Sequence, residues 1–421
     1  MTSGSVLDAL RAAVGSDAVV EHEPVVVDGV SLTASLRPGS GEELGEGLRV
    51  LSQRGMAALV RGGGSRLGQG NRLQRADFVL ETAGLDGILE FDAEDGSVHV
   101  RAGTEIATLR EAVRAEGWEL PLDPPGDDTS VGGALASAAV GPRFGHPRSI
   151  VLGLEVALAS GARTRCGGRV VKNVTGYDLA KLYTGSFGSL GVIEAAWLRL
   201  RPLPERSLFL AAALPEGAAG FDRALAAARR PSARVAARLD GALATAIDAA
   251  TAGDGSVLLL ELVGDESVLE VDRSELVEEI GAHEVDPVLI ERLRALQGGA
   301  FHPGGLRLRL SSLPSRIGEA AGRLARDGGA VLAYPARGLL YLCFPVGLAA
   351  DERAVDAAMR SAGLAAASGG GSLVIEEAPD WVKEGRDVFG DPGPLLPLFR
   401  ALKHQYDPKG ALNPGRFAGC L

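Results

Sequence analysis

The sequence predicts an α+β protein built in two units, and three observations carry that prediction. From Val25 to Arg201, short strand candidates joined across Asp-Gly and Ser-Gly pairs alternate with helical stretches. Pro202 and Pro204 then interrupt the pattern. Beyond them, strand candidates alternate with stretches rich in Ala, Leu and Arg, which reads as an antiparallel sheet covered by helices. A length of 421 residues fits this division, since single cores stop growing at about 250–300 residues.

The elements follow in order. Val25–Val27 and Ser31–Leu36 flank Asp28-Gly29 and read as a hairpin. From Glu42 to Arg54, Leu44, Leu48 and Leu51 recur at helical spacing, and the strand Ala57–Arg61 leads into RGGGSRLGQG. Strands over Gly87–Phe91 and Ser97–Ala102 meet at Asp95-Gly96, and Thr104 is expected to cap a helix running to Glu116. Pro121 to Gly126 is extended. Thr129-Ser130 then opens VGGALASAAVG, where a capping hydroxyl precedes two glycines and small residues, so a helix N-terminus can approach a ligand. Leu152–Leu158 and Ala162–Cys166 pair across Ser160-Gly161, and residues 170–193 give a loop, a short helix and a returning strand. In the second unit the strand candidates are Leu208–Leu214, Val257–Val263, Leu306–Leu310, Ala330–Tyr334 and Leu339–Phe344. A helix near Leu395–His404 precedes the closing YDPKGALNPGRF.

Composition narrows the function classes. With 43 Lys+Arg against 54 Asp+Glu, the formal charge of −11 repels phosphate polymers and argues against nucleic acid. The cysteines Cys166, Cys343 and Cys420 form no C-x-x-C pair, so a metal or redox motif is not indicated, and sparse thiols fit a reducing compartment. No apolar run is long enough to span a bilayer and no signal-peptide pattern opens the chain. The expectation is a cytoplasmic protein without direct membrane insertion, reaching a membrane only through a partner.

The strongest local signal is LVRGGGSRLGQG, residues 59–70, where an apolar strand runs into three consecutive glycines flanked by Arg61 and Arg66. Glycines without Cβ let backbone N–H groups close on an anion, which outlines a diphosphate cradle. The spacing fits neither the dinucleotide fingerprint, because Leu67 stands where its third glycine belongs, nor the P-loop, because no Lys-Ser or Lys-Thr follows.

RGGGSRLG, RAGTEIATL (101–109), LPLDPPGDDTSVGGALASA, SIVLGLEVALASG, GGRVVKNVTGYDLAKLYTGSFGSLGVI and DPKGALNPGR occur in this order. Together they resemble the vanillyl-alcohol-oxidase/p-cresol-methylhydroxylase flavoprotein superfamily, and within it the family of FAD-binding subunits of bacterial glycolate oxidases. The similarity is dense from about Gly55 to Pro204 and returns at 407–416. It implies a two-subdomain FAD-binding fold of that type plus an α+β cap domain with an antiparallel sheet. The expected organisation is an N-terminal segment (1–24), the FAD-binding domain (25–204), the cap or substrate domain (205–380) and a C-terminal segment (381–421) returning to the FAD domain. By position, the resemblance assigns to FAD the residues Arg61, Gly62, Gly63, Gly64, Ser65, Arg66, Pro125, Thr129, Gly132, Gly133, Gly191, Val192, Ile193 and Asn413, with Gly415 also near the flavin end.

Relatives often bond the flavin to a histidine, whereas here Ser65 stands in the loop and no histidine lies between Pro121 and Ala139, so noncovalent FAD is expected. Oxidising a 2-hydroxy acid needs a cation for the carboxylate, a base for the hydroxyl proton and a hydride acceptor. Arg307 and Arg309 share one face of LRLRL and are candidates for the cation, against the alternative of a solvated strand face. Lys172 and Tyr177, in KNVTGYD, are further site candidates, although that motif can also serve to pack the flavin domain. Of the histidines, His146, His302 and His404 lie near motifs while His22, His99 and His283 read as structural, and no base is assigned.

The catalytic partner subunit of glycolate oxidase carries a metal-binding histidine pattern and an HxGDGN-like string that are missing here, so no metal is expected. Three functions stay open. One is the flavin-carrying subunit of a glycolate oxidase complex, working with a second flavoprotein subunit and an iron–sulfur subunit. The others are an independent FAD-linked oxidoreductase on another alcohol or hydroxy acid, and a noncatalytic flavin-bound scaffold.

Overall fold

A computed structural model describes residues 3–126, 128–169, 178–252, 255–324 and 329–421. The first hairpin forms as its sequence dictates: Val19–Val27 and Val30–Leu36 pair antiparallel around Asp28 (φ 51°) and Gly29 (φ 86°), two successive left-handed residues that match the twist of the strands. Phe78–Glu81 and Ala58–Arg61 extend this sheet in parallel, in the order Val19–Val27, Val30–Leu36, Phe78–Glu81, Ala58–Arg61. The helix Gly41–Gln53, capped by the Ser40 hydroxyl on the Glu43 N–H, packs Leu44 and Leu48 into a core shared with Val6 and Leu10 of the helix Ser3–Val14.

A second, antiparallel sheet has the order Ile88–Asp92, Ser97–Arg101, Val192–Arg199, Val151–Ala157, Arg163–Gly167. Val192–Arg199 is nearly all buried because it lies at the centre of this sheet, with a neighbouring strand on either side. The helix Ile106–Ala115 lies over the sheet with Ile106, Leu109 and Val113 inward. Thr104 does not cap this helix, contrary to expectation. Its buried hydroxyl accepts the Gly87 N–H at 2.9 Å, and the Ile106 N–H is satisfied by the Thr129 carbonyl.

The remainder forms one antiparallel sheet in the order His283–Glu284, Arg206–Leu214, Ser256–Gly264, Ala233–Leu239, Ala330–Tyr334, Leu339–Phe344, Leu306–Ser311, Leu373–Glu377. Strand alternation decides its two faces. Leu308, Leu310, Leu340 and Leu342 point toward the helices Ile317–Leu324 and Glu352–Ser368, while Arg309 and Tyr341, paired across the strands, point the other way. The LRLRL alternation was therefore legible; the strands Ala233–Leu239 and Leu373–Glu377 were not.

Arginines stitch the large sheet to the glycine-lined half. Arg143 Nε bonds Glu261 at 2.8 Å and its Nη1 bonds Glu291 at 2.9 Å, while Arg337 Nη1 donates to the Gly141 carbonyl at 2.7 Å. The chain's last residues rejoin the first sheet through a parallel bridge of Leu412 to Ala58.

Candidate active site

A cleft lies where the strand Ala58–Arg61, the helix Val131–Ala136 and the strand Val192–Arg199 converge. Its walls bring together Arg61, Gly62, Gly63, Gly64, Ser65, Arg66, Thr129, Gly132, Gly133, Gly191, Val192, Ile193 and Asn413. Pro125 stands outside it, lining an adjoining cavity, and its carbonyl accepts from Arg66 Nη2 at 2.8 Å.

Local chemistry fixes this shape. Gly64 has φ 87°, a left-handed conformation that only glycine adopts without strain. At Gly63 an added Cβ would lie 1.9 Å from the Asp128 carbonyl oxygen, so packing of loop on loop requires that glycine before any ligand is considered. The Ser130 hydroxyl accepts the Gly133 N–H at 3.2 Å and caps the short helix Val131–Ala136. Asn413 clamps the opposite wall: its Oδ1 accepts from the Val60 N–H at 2.8 Å and its Nδ2 donates to the Phe187 carbonyl at 2.5 Å.

Arg66, Ser137 and Phe187 are shared with the second cavity, which runs beneath the large sheet and is also lined by His146, Arg148, Arg309, Tyr341 and Glu376. Arg66 sits at the junction with its Nε unpartnered and no carboxylate among the described residues at ion-pair distance. Burial lowers its pKa to about 10, so the guanidinium stays charged in a poorly solvated place that favours an anion. Arg148 is likewise held by a carbonyl, donating to Thr184 at 2.9 and 3.2 Å. His146 accepts the Arg148 N–H through Nδ1, and burial together with Arg148 and Arg309 lowers its pKa to about 4, leaving it neutral at pH 7.

Several expectations need correction. Arg307 lines neither cavity: it is buried, and its Nη1 bonds Glu377 at 2.7 Å, so it is neither solvated nor open to a substrate. Arg309 faces the second cavity, with Nε on Glu376 at 2.8 Å. His302 packs against Phe301 outside both cavities, and His404 is exposed on the helix Leu396–Tyr406. Gly415 packs against Gln74 outside the cleft, where Arg416 lines the wall instead. Lys172 and Tyr177 fall outside the described residues. Arg148, Tyr341 and Glu376 were not singled out from sequence. Arg416 stood within the recognised DPKGALNPGR string and could have been found there.

Residues 33–167 match the family described as FAD binding domain, and the cofactor is FAD. The chain is similar to glycolate oxidase subunit GlcE of Escherichia coli (strain K12), 38% identical over 129 residues, which are 30% of this chain and 37% of that one. It is 34% identical to glycolate oxidase subunit GlcD of Bacillus subtilis over 41% of this chain and 37% of that one. For the D-lactate dehydrogenase of Archaeoglobus fulgidus the values are 33% identity over 43% and 41%. The chain thus spans well under two thirds of the length of these curated relatives. Among solved structures, 4-ethylphenol oxidase from Gulosibacter chungangensis superposes with a TM-score of 0.73 at 18% identity, covering 98% of this chain and 96% of that one. p-Cresol methylhydroxylase gives 0.73 at 15% identity over 99% and 97%. The fold is that of these solved structures, a glycine-lined α+β half joined to a large antiparallel sheet.

Proposed function

We propose that this chain is an FAD-dependent oxidoreductase of small 2-hydroxy acids such as glycolate, serving as the FAD-binding subunit of a glycolate oxidase complex. The observation that carries this reading is that a glycine-walled cleft and a second cavity lined by Arg148 and Arg309 adjoin, sharing Arg66, Ser137 and Phe187 in their walls. Bound in the cleft, FAD would supply a hydride acceptor for oxidation of the C–H bond beside the hydroxyl. The loop Arg61–Arg66 and the Ser130-capped turn would hold its diphosphate, Gly133 leaves the wall bare, and Asn413 fixes the far side. Arg66 puts uncompensated positive charge at the junction, which fits an anionic cofactor.

In the second cavity, Arg148 and Arg309 draw a carboxylate in. Neutral His146 lies within that chamber; because its Nδ1 accepts the Arg148 N–H, its Nε2 carries the ring proton and can donate a hydrogen bond. The loop holds Ser65 and no histidine, so the cofactor is noncovalent. Acid precipitation should release flavin into the supernatant, and flavin left on the denatured chain would refute that. The likeness to proteins named as glycolate oxidase subunits supports a multi-subunit assembly, and this reading adds a second flavoprotein subunit and an iron–sulfur subunit.

Anaerobic mixing of the FAD-loaded protein with glycolate, D-lactate and other hydroxy acids, alone and after co-expression with such partners, tests the proposal. The expected result is flavin bleaching that is slow in the isolated chain and rapid in the complex. Rapid turnover by the isolated chain would favour an independent enzyme, and no bleaching in either form would favour a scaffold.

A further inference from the structure

Behind Tyr341, which lines the second cavity, lies a polar relay that the reading above does not use. Gln297, 2% exposed, sits in a π-helical turn spanning Leu296–Ala300, an irregularity that often marks functional positions. Its Nε2 lies 2.7 Å from the Val140 carbonyl and 2.9 Å from the Tyr341 hydroxyl, and its Oε1 lies 2.7 Å from the Tyr334 hydroxyl. The Val140 carbonyl can only accept, so the amide nitrogen must face it and the orientation of the amide is settled. One N–H then goes to Val140 and the other to Tyr341, whose oxygen is an acceptor in that bond. Tyr334 gives its proton to Oε1. The proton of Tyr341 itself is left without an acceptor among the described residues.

Tyr341 lines the second cavity and lies directly opposite Arg309 on the neighbouring strand. Arg309 gives Nε to Glu376, and its Nη groups make no bond among the described residues. Burial, with the Glu376 carboxylate next in effect, raises the Tyr341 pKa, so the phenol keeps its proton.

We propose that Tyr341 is a substrate-binding residue that donates its hydroxyl proton to a carboxylate in the second cavity, beside Arg309, and that Gln297 is the positioning residue that forces it to donate. The inference rests on the second cavity being the substrate chamber. It makes the clamp two-point: Arg309 supplies charge, and Tyr341 supplies a directed hydrogen bond.

The test uses the FAD-loaded full chain and oxalate, a carboxylate with no C–H bond to give up. Its dissociation constant is read from the flavin absorbance change and by calorimetry, with flavin content and melting temperature measured on each variant. Tyr341→Phe removes only the hydroxyl and should weaken oxalate about ten- to hundredfold at unchanged flavin content, the usual weight of a hydrogen bond to a charged group. Gln297→Glu reverses the relay, since a carboxylate takes the Tyr341 proton for itself, and should weaken oxalate similarly although the phenol is still present. Tyr334→Phe leaves the Val140 anchor in place and should bind oxalate as the wild type does. If Gln297→Glu does not fold, the two tyrosine variants decide.

Equal oxalate affinity in wild type and Tyr341→Phe overturns the clamp, as does wild-type protein that binds no oxalate. Tyr341-dependent oxalate binding without flavin reduction by any hydroxy acid supports the clamp and refutes the hydroxy-acid reading instead.

Discussion

Two glycines on one cleft wall are required for different reasons. At Gly133 an added Cβ would meet only the Ser130 hydroxyl, at 3.1 Å, so a larger side chain would extend into the space where FAD is proposed to lie. Gly133→Leu should therefore lower flavin content after purification while leaving the melting temperature of the flavin-free protein near that of wild type. Gly63→Ala should do the reverse first, lowering the apoprotein's stability by about 1–3 kcal/mol in urea titration through overpacking against Asp128. His146 offers a pH signature. Its folded pKa of about 4 lies below the ordinary 6.5, so the folded state prefers the neutral ring. That contribution to stability is complete above about pH 6.5 and is lost as pH falls toward 4. Histidine NMR should show this low midpoint, and Arg309→Ala should raise it by removing a neighbouring positive charge. Sequence alternation placed Arg307 and Arg309 on one face correctly. It could not say which faces the cavity, because Glu376 and Glu377, which decide it, come from a strand about seventy residues away in the chain.

Among the elements, the helix Val131–Ala136 depends on its cap, since six residues cannot stabilise themselves. Ser130→Ala removes the bond to the Gly133 N–H and should cost about 0.5–2 kcal/mol in chemical denaturation, with a parallel fall in FAD affinity. This cap was legible because Ser130 precedes the helix directly. Thr104 looked equally suitable and failed, since tertiary contact with Gly87 claimed its hydroxyl. The strand Ala233–Leu239 was hidden for a related reason. ARVAARL reads as helix by propensity, yet it lies inside the large sheet between Ser256–Gly264 and Ala330–Tyr334, where two neighbours supply its backbone hydrogen bonds. Arg238 on this strand even buries its charge over the Phe221 ring, 4.0 Å from the centroid, a placement that no local pattern announces.

For the whole molecule, half-buried arginines join the large sheet to the glycine-lined half. Glu261 is 2% exposed, and Arg143 is the partner that bonds it most closely. Arg143→Ala should destabilise the protein by about 1–3 kcal/mol, seen as a lower melting temperature, because a buried carboxylate loses its main partner. Glycine-rich motifs made the glycine-lined half readable at this scale, while the large antiparallel sheet gave only its strand alternation. One consequence concerns synthesis rather than stability. The Asn413 bond to Val60 joins residues 353 positions apart, and Leu412 bridges to Ala58 beside it. A ribosome that has made the entire glycine loop has therefore still not made the wall that closes it. Flavin capture should follow emergence of the segment that carries Leu412 and Asn413, so a nascent chain stalled before Ala411 should remain colourless, and acquisition of yellow colour reports that this segment has left the ribosome.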